Sequence, residues 1–213
     1  MLTLEQIFDL SKTQFADLFG RFDYPWEILP YLEEYINEII KPKNLGEAKG
    51  NVYVADNVEI GAGTIIEHGA MIYGPTIIGR NCKIGAGAYI RGNVIIGDDC
   101  VIGHATEIKN SFLFNQARAP HFNYVGDSIL GYNVNLGAGS LTANYRLDGD
   151  KITVCEGEKK ILTKLSKFGA IIGDNCSVGC NSVLNPGAVL GKNCQVYPLT
   201  RVFGVLAPGS KIK

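Results

Sequence analysis

Apolar residues recur at every sixth position between Val54 and Phe114. No member of the series is polar: Val54, Ile60, Ile66, Ile72, Ile78, Ile84, Ile90, Ile96, Ile102, Ile108 and Phe114. The fourth residue after each member from Val54 to Ile108 is small or β-branched in all cases but one: Val58, Thr64, Ala70, Thr76, Cys82, Ala88, Val94, Cys100, Thr106 and Phe112. An α-helix cannot produce a period of six, and a lone strand alternates with a period of two. Hexapeptide repeats are typical of a parallel β-helix.

Each hexad then forms one short strand and a turn, with its aliphatic and its small side chain directed inward. Gly, Asn and Asp supply the unusual backbone angles at the corners. Three hexads make one triangular coil of 18 residues, and successive coils stack about 4.8 Å apart. Residues 18 apart are therefore expected to lie directly above one another.

The six-residue pattern is interrupted twice. Ten residues separate Phe114 from Tyr124, so residues 115–123 are predicted to bulge out as a loop. A longer interruption predicts a second loop over residues 146–168. The positions of the repeat that correspond to the aliphatic series, between and after the loops, are Tyr124, Leu130, Leu136, Thr142, Ile172, Val178, Leu184, Leu190, Val196 and Val202. A long loop in a regular solenoid is usually functional or disordered.

The first 48 residues do not follow the period of six and predict helices. Thr3 and Gln6 have the spacing of a capping box, and Pro25 suits the first turn of a later helix that stops near Lys41. We expect an N-terminal helical cap (1–48) that covers the open first coil, because terminal strands are exposed edges. A β-helix (49–205) of about eight coils and a short C-terminal tail (206–213) complete the predicted organisation.

Length and composition favour one main globular domain. The chain has 213 residues and a net charge of −1, which gives no electrostatic signal for nucleic acid. No run of 18 apolar residues predicts membrane insertion, and no basic region precedes an apolar stretch at the N-terminus. We therefore expect a cytoplasmic protein. Four of the six cysteines occupy small inward positions, where they are expected to be buried apolar groups rather than disulfides: Cys82, Cys100, Cys176 and Cys194.

Three basic residues are candidates for chemistry. Arg91 and Lys109 are 18 apart, so two cations are predicted to project from the same place on adjacent coils. Two unpaired stacked cations indicate a bound anion, although solvated surface charge is the commoner explanation. His121 follows the first interruption and precedes Tyr124. A single histidine is usually structural, but this position favours a catalytic base.

The stretch from His121 to Tyr145 reads HFNYVGDSILGYNVNLGAGSLTANY. It resembles the acetyltransferase domain of the bifunctional glucosamine-1-phosphate N-acetyltransferase and sugar-1-phosphate nucleotidyltransferase family, over roughly residues 50–205. The resemblance implies a left-handed β-helix, a homotrimer, acetyl-coenzyme A as acyl donor and an amino sugar phosphate as acceptor, with glucosamine 1-phosphate first among these. It implies no metal requirement for acetyl transfer.

The resemblance also implies residue roles. His121 would be the general base. Ala138 would offer its backbone N–H to the thioester oxygen, and Cys180 and Pro198 would stand at coenzyme A positions. Sugar-phosphate positions would be Arg91, Lys109, Tyr124, Asn135, Asn144, Tyr145 and Lys167.

The sequence departs from the family in three respects. Cys180 and Pro198 stand where the bacterial enzymes have Ser and Ala. The C-terminal arm is nearly absent, so that only Arg201, Lys211 and Lys213 could replace its arginine. No Gly-rich nucleotide loop precedes the solenoid, so a stand-alone acyltransferase domain without uridyltransfer is expected. The excursion from Leu147 to Ser166 is predicted to contact a neighbouring chain and bring Lys167 to its site.

Two other function classes stay open at this point. His68 and His104 are 36 apart, as in hexapeptide-repeat carbonic anhydrases of the γ class, but Lys109 stands where a third ligand is needed for zinc. A non-catalytic or regulatory protein that binds a sugar nucleotide is the second alternative. Turnover of acetyl-coenzyme A, rather than binding alone, separates it from an enzyme.

Overall fold

The computed structural model describes all residues from 1 to 213. It is a parallel β-helix of nine coils with three flat walls, as the period of six predicts. Wall 1 consists of β1 (Lys43–Asn44), β4 (Val58–Ile60), β7 (Thr76–Ile78), β10 (Val94–Ile96), β13 (Ser111–Leu113), β16 (Ile129–Leu130), β21 (Ala170–Ile172), β24 (Ala188–Leu190) and β27 (Val205–Leu206).

Each coil passes from wall 1 to wall 2 and then to wall 3. Wall 2 consists of β2 (Glu47–Lys49), β5 (Ile65–Glu67), β8 (Lys83–Ile84), β11 (Val101–His104), β14 (Arg118–His121), β17 (Asn135–Leu136), β22 (Ser177–Val178), β25 (Gln195–Val196) and β28 (Lys211–Ile212). Wall 3 consists of β3 (Tyr53–Val54), β6 (Met71–Ile72), β9 (Tyr89–Ile90), β12 (Glu107–Lys109), β15 (Tyr124–Gly126), β18 (Leu141–Thr142), β23 (Val183–Leu184) and β26 (Arg201–Val202).

The interior is a column of stacked aliphatic side chains. Ile60, Ile78 and Ile96 pair in register on successive strands of wall 1, and all three are buried in the core. Cys82 and Cys100 are also buried, as free thiols, and each donates to a backbone carbonyl oxygen of the next coil at 3.1 Å. The inward positions therefore hold small or aliphatic groups that pack from coil to coil.

Residues 115–123 do not form the predicted loop. They contain β14, which pairs with β11 in wall 2 in the register Val101 to Arg118. The turn after Lys109 is one residue shorter than the turn after Arg91, so the stacking interval falls from 18 to 17 residues at Ser111. The chain therefore loses one residue from a coil here, where the sequence pattern indicated an insertion.

The shorter turn changes which side chains face inward. Leu113 and Val125 lie in the core, where Phe114 and Tyr124 were predicted. Phe112 and Phe114 instead point outward and are buried under the N-terminal segment. Because side chains alternate along a strand, a shift of one residue exchanges the two faces.

The N-terminal segment forms short helices, as expected, but it lies along wall 1 and leaves the first coil exposed. It contains α1 (Leu4–Ile7), α2 (Ala16–Phe19), α3 (Leu32–Ile39) and 3₁₀ turns at Leu10–Lys12 and Pro25–Tyr31. The central outward positions of wall 1 are apolar and buried beneath this segment: Ile77, Ile95, Phe112, Ile129, Ile171 and Val189. Wall 1 is therefore covered, while walls 2 and 3 are open.

The solenoid extends further at both ends than the sequence pattern indicated. Its first strand begins at Lys43, where Asn44 and Ala48 stand in register with the inward residues Ile60 and Ile66. At the other end β27 and β28 pair after intervals of 16 residues instead of 18. Polar or small inward residues and shortened coils conceal the period at both ends.

The excursion between β18 and β21 folds against its own chain. It carries an antiparallel hairpin of β19 (Thr153–Glu156) and β20 (Lys159–Leu162). Ile152 and Val154 are fully buried in the cluster that includes Trp26, and the Glu156 carboxylate pairs with the terminal amine of Met1. The hairpin thus helps to hold the N-terminal segment on wall 1.

Candidate active site

Arg91 and Lys109 lie on consecutive coils at the edge where wall 3 turns toward wall 1. The backbone N–H of Arg91 donates to the Ile108 carbonyl at 2.8 Å, which fixes the two residues as neighbours. The prediction that the cations are unpaired is wrong. Arg91 Nη1 lies 2.8 Å from Glu107 Oε1, and Lys109 Nζ lies 3.0 Å from Asp127 Oδ2. A bound anion would share the two cations with these carboxylates.

Asp127 is the centre of the polar network at this edge. Its side chain is almost fully buried and accepts hydrogen bonds from Lys109, from Asn110 Nδ2 (2.9 Å) and from Asn144 Nδ2. Its carbonyl accepts the N–H of Gly169 at 2.8 Å. Asp127 therefore connects Lys109 with the two ends of the excursion. The sequence analysis assigned no role to Asp127. Its position within the stretch from His121 to Tyr145, 18 residues after Lys109, was the signal that could have indicated one.

Tyr124 lies half-buried on the outer face of wall 3, in register with Glu107. Its hydroxyl oxygen accepts a hydrogen bond from Asn144 Nδ2 at 3.2 Å. Burial raises the pKa of the Tyr124 hydroxyl, and the nearby carboxylates of Asp127 and Glu107 raise it further. The hydroxyl therefore stays protonated and can donate to a ligand on wall 3.

A cleft of about 340 Å³ opens at this edge. Wall 3 and its turns supply one side of it. The opposite side comes from the N-terminal segment where α3 begins. The lining residues are Arg91, Gly92, Asn93, Lys109, Asn110 and Asp127 on the solenoid, and Leu29, Pro30 and Glu33 on the N-terminal segment. We call this the anion cleft.

His121 occupies the opposite edge of wall 3, where wall 2 ends. It pairs in register with His104, one coil away, and its carbonyl accepts the N–H of Gly139 at 3.0 Å. The imidazole is exposed, whereas the His104 ring is held by a 2.7 Å contact from Nδ1 to the Ala86 carbonyl. The His121 ring is thus open to a ligand.

The residues predicted to bind coenzyme A continue this edge along the solenoid. The Asn181 N–H donates to the Ala138 carbonyl, and the Leu199 N–H donates to the Cys180 carbonyl, both at 2.9 Å. These bonds place His121, Ala138, Cys180 and Pro198 on successive coils at one corner, which we call the turn column. The N–H of Ala138 makes no hydrogen bond within the chain, so it can donate to a ligand.

Wall 3 separates the anion cleft from His121 by a short span. Lys109 pairs in register with Gly126, which is five residues beyond His121. At about 3.3 Å per residue the backbones of Gly126 and His121 are at most about 17 Å apart. The Arg91 guanidinium contacts Glu107, and therefore extends along wall 3 toward His121.

The other predicted site residues lie outside this span. Asn135 is exposed on wall 2, in register with Arg118 and Ser177. Tyr145 and Lys167 are exposed at the two ends of the excursion. Within one chain, Asn135 therefore faces away from wall 3. Lys167 lies next to Phe168, whose N–H donates to the Asn144 carbonyl at 3.0 Å.

His68 and His104 do not belong to a zinc site within the chain. They lie two coils apart on the turn column, which separates their backbones by about 10 Å. The chain contains no group of three or more His, Cys, Asp or Glu side chains arranged to hold a metal ion. Two histidines of one chain are fewer than the three protein ligands of a catalytic zinc site.

Comparison with family models and known proteins places the chain in a family. The GMPPB C-terminal domain model matches residues 72–162, and the bacterial transferase hexapeptide model (six repeats) matches residues 169–204. YaiX of Escherichia coli strain K12, an uncharacterized protein named as an acetyltransferase, is 37% identical over 84% of this chain and 79% of its own length. The chain belongs to the hexapeptide-repeat acetyltransferases and is an acyltransferase.

The chain is similar to one part of larger proteins. It is 36% identical to the bifunctional protein GlmU of Methanococcus maripaludis over 91% of this chain and 47% of that protein. It is 34% identical to the bifunctional sugar-1-phosphate nucleotidylyltransferase/acetyltransferase of Sulfurisphaera tokodaii over 82% of this chain and 43% of that protein. The chain thus spans about half the length of these curated relatives, in agreement with the acetyltransferase domain recognised in the sequence.

A solved structure supports the fold. The UDP-N-acetylglucosamine acyltransferase from Campylobacter jejuni superposes with a TM-score of 0.54 at 16% identity, over 79% of this chain and 66% of that chain. None of the helices is long and apolar enough to cross a membrane.

Proposed function

We propose that the chain transfers the acetyl group of acetyl-coenzyme A to the amine of an amino sugar phosphate, with glucosamine 1-phosphate as the acceptor. The observation that carries this proposal is the placement of two cations at one edge of wall 3 and an open imidazole at the other. The acceptor's phosphate would bind the two cations, with its amine directed toward His121.

The acceptor's phosphate would be held by Arg91 and Lys109. Arg91 offers a planar fork to phosphate oxygens and Lys109 a compact charge. Tyr124 lies between the cleft and His121, where its protonated hydroxyl can donate to the sugar ring. Asn144 reaches the same place, because its side chain contacts the Tyr124 hydroxyl and Asp127.

His121 would act as the general base. The amine of an amino sugar is largely protonated at neutral pH, so its ammonium form first releases one proton to solvent. The imidazole then takes a second proton from the neutral nitrogen as it attacks the thioester carbon. The new C–N bond produces a tetrahedral intermediate whose oxygen carries the negative charge. The carbon–sulfur bond then breaks, and the imidazolium returns a proton to the coenzyme A thiolate.

Acetyl-coenzyme A would lie along the turn column. The free N–H of Ala138 is one coil from His121, where it can donate to the oxygen of the tetrahedral intermediate. Cys180 and Pro198 continue the column, so an extended pantetheine chain would pass them before its thioester reaches Ala138. Both residues are exposed, which agrees with this path.

We also propose that the chain assembles as a homotrimer, with active sites shared between neighbouring chains. Asn135 lies on wall 2 and cannot face wall 3 of its own chain, so it contributes to a site only if a neighbouring chain brings the two walls together. The N-terminal segment covers wall 1, which leaves walls 2 and 3 as the surfaces for such contacts. Exposed Tyr145 and Lys167 would complete the site of the adjacent chain.

A thiol-release assay with acetyl-coenzyme A and a panel of acceptors tests the proposal. The panel contains glucosamine 1-phosphate, galactosamine 1-phosphate, glucosamine 6-phosphate and glucosamine. The proposal predicts release with glucosamine 1-phosphate and an N-acetylated product by mass spectrometry. Acetyl transfer to a sugar hydroxyl, or no release with any amino sugar phosphate, would refute it.

A further inference from the structure

The N-terminal segment supplies one side of the anion cleft. Leu29, Pro30 and Glu33 lie opposite Arg91 and Lys109. The Glu33 Oε2 accepts a hydrogen bond from Asn93 Nδ2 at 3.3 Å, which ties the carboxylate to the turn that follows Arg91. A carboxylate therefore stands at the side of the cleft that faces away from His121.

The direction of the acceptor determines what meets Glu33. This step rests on the proposed function, in which the sugar extends from the cleft toward His121. The phosphate then presents its remaining oxygens to the other side of the cleft. Any group attached to those oxygens would point at Leu29, Pro30 and Glu33.

We propose that Glu33 is a specificity-determining residue that closes the anion cleft to a second phosphate, so that the site takes amino sugar monophosphates and rejects nucleoside-diphosphate-linked amino sugars. The single phosphate of an amino sugar monophosphate contacts only Arg91 and Lys109. In a diphosphate-linked sugar the second phosphate enters the region of Glu33, where like charges repel. Pro30 and Leu29 add a steric boundary on the same side.

The cations of the cleft cannot offset a second phosphate. Each already shares its charge with a carboxylate, Arg91 with Glu107 and Lys109 with Asp127. The cleft lining contains no further lysine or arginine. The charge balance of the cleft therefore suits one phosphate group.

Binding and turnover of two ligands test this inference. Glucosamine 1-phosphate and UDP-glucosamine are titrated calorimetrically into the full chain, and both are assayed for acetyl transfer. The variants are Glu33→Gln and, as a matched control, Glu34→Gln, which removes the same charge from the next residue of α3 outside the cleft. We expect the wild type to favour the monophosphate by at least about tenfold in Kd. We also expect Glu33→Gln, but not Glu34→Gln, to reduce that ratio several-fold by strengthening UDP-glucosamine binding.

The outcomes separate this inference from the proposed function. A wild type that binds both ligands equally, or a ratio that Glu33→Gln leaves unchanged, would overturn the role of Glu33. Weaker binding of glucosamine 1-phosphate to Glu33→Gln would also overturn it, because Glu33 would then hold the acceptor. If the Kd ratio responds as expected while no acetyl transfer occurs, the inference stands and the catalytic proposal fails.

Discussion

Lys109 Nζ and Asp127 Oδ2 form an ion pair of 3.0 Å whose side chains are only 17% and 6% exposed. The second ion pair of the cleft, between Arg91 and Glu107, is far more open, with side chains 45% and 34% exposed. Burial decides how much the loss of each ion pair costs in stability, since removing one member of a buried pair leaves an uncompensated charge. The two pairs therefore differ in role although they lie on adjacent coils.

Asp127→Ala should lower the free energy of unfolding by about 3–5 kcal/mol, because it leaves the largely buried Lys109 ammonium without its carboxylate partner. It also removes the acceptor for Asn110 and Asn144. Glu107→Ala is the matched control and should cost about 0–1 kcal/mol, as expected for an exposed pair. Urea denaturation measures both. Similar small losses for the two variants would contradict the central role of Asp127.

Arg91→Ala should raise the KM for the sugar phosphate with little change in the KM for acetyl-coenzyme A. Loss of a charge-assisted contact at a partly exposed site costs about 1.5–3 kcal/mol, which corresponds to roughly 10- to 150-fold. The double variant with Lys109→Ala should be less than additive, because both cations share one anion.

Arg80→Ala is the control for that prediction, since Arg80 is an exposed arginine outside the anion cleft. Initial-rate kinetics with each substrate varied in turn give the two constants. A rise confined to the KM for acetyl-coenzyme A would reverse the pocket assignment, and the anion bound by Arg91 would then be a phosphate of the donor.

Trp26→Ala should destabilise the fold by about 3–5 kcal/mol, the usual range for removing a large buried aromatic. Trp26 is 1% exposed, and its ring centroid lies 4.6 Å from that of Tyr24 and 5.8 Å from that of Phe168. Leu147→Ala, at an exposed position of the excursion, should change stability little. Thermal or urea unfolding compares them, and a near-neutral Trp26→Ala would show that the N-terminal segment is not part of the cooperative fold.

The period of six was sufficient to predict the parallel β-helix and most of its interior. It failed at the turn after Lys109, which is one residue shorter than the turn after Arg91, and the register of the next coils therefore shifted. No composition or propensity signal marks the loss of one turn residue. Leu113 and Val125 occupy the inward positions that the pattern assigned to Phe114 and Tyr124. Because both members of each neighbouring pair can be buried, the sequence alone did not decide between them.

The covered wall had a sequence signal that the period alone does not reveal. Between the two inward residues of successive wall 1 strands stand Ile77, Ile95 and Phe112, where an exposed wall would carry polar side chains. Their burial follows from packing with residues far away in the chain, such as Phe8 and Phe19. The spacing of Arg91 and Lys109 predicted a bound anion, but the pairing of Arg91 with Glu107 and of Lys109 with Asp127 required the three-dimensional structure.

Light scattering at micromolar concentration should give about three times the chain mass of 23.1 kDa. This result is expected if Asn135 on wall 2 and Lys167 at the end of the excursion complete the sites of neighbouring chains. A monomeric mass would contradict the shared site and leave Asn135 without a role in it.

The most direct test of the account is acetyl transfer to glucosamine 1-phosphate by His121→Ala, with His68→Ala as the matched control at the same edge of the solenoid. General-base catalysis contributes about 10²–10⁴-fold, so the turnover of His121→Ala should fall by that factor while its unfolding curve stays that of the wild type. His68→Ala should keep full turnover, because His68 lies three coils away. Unchanged turnover in a folded His121→Ala variant would contradict the assignment of His121 as the base.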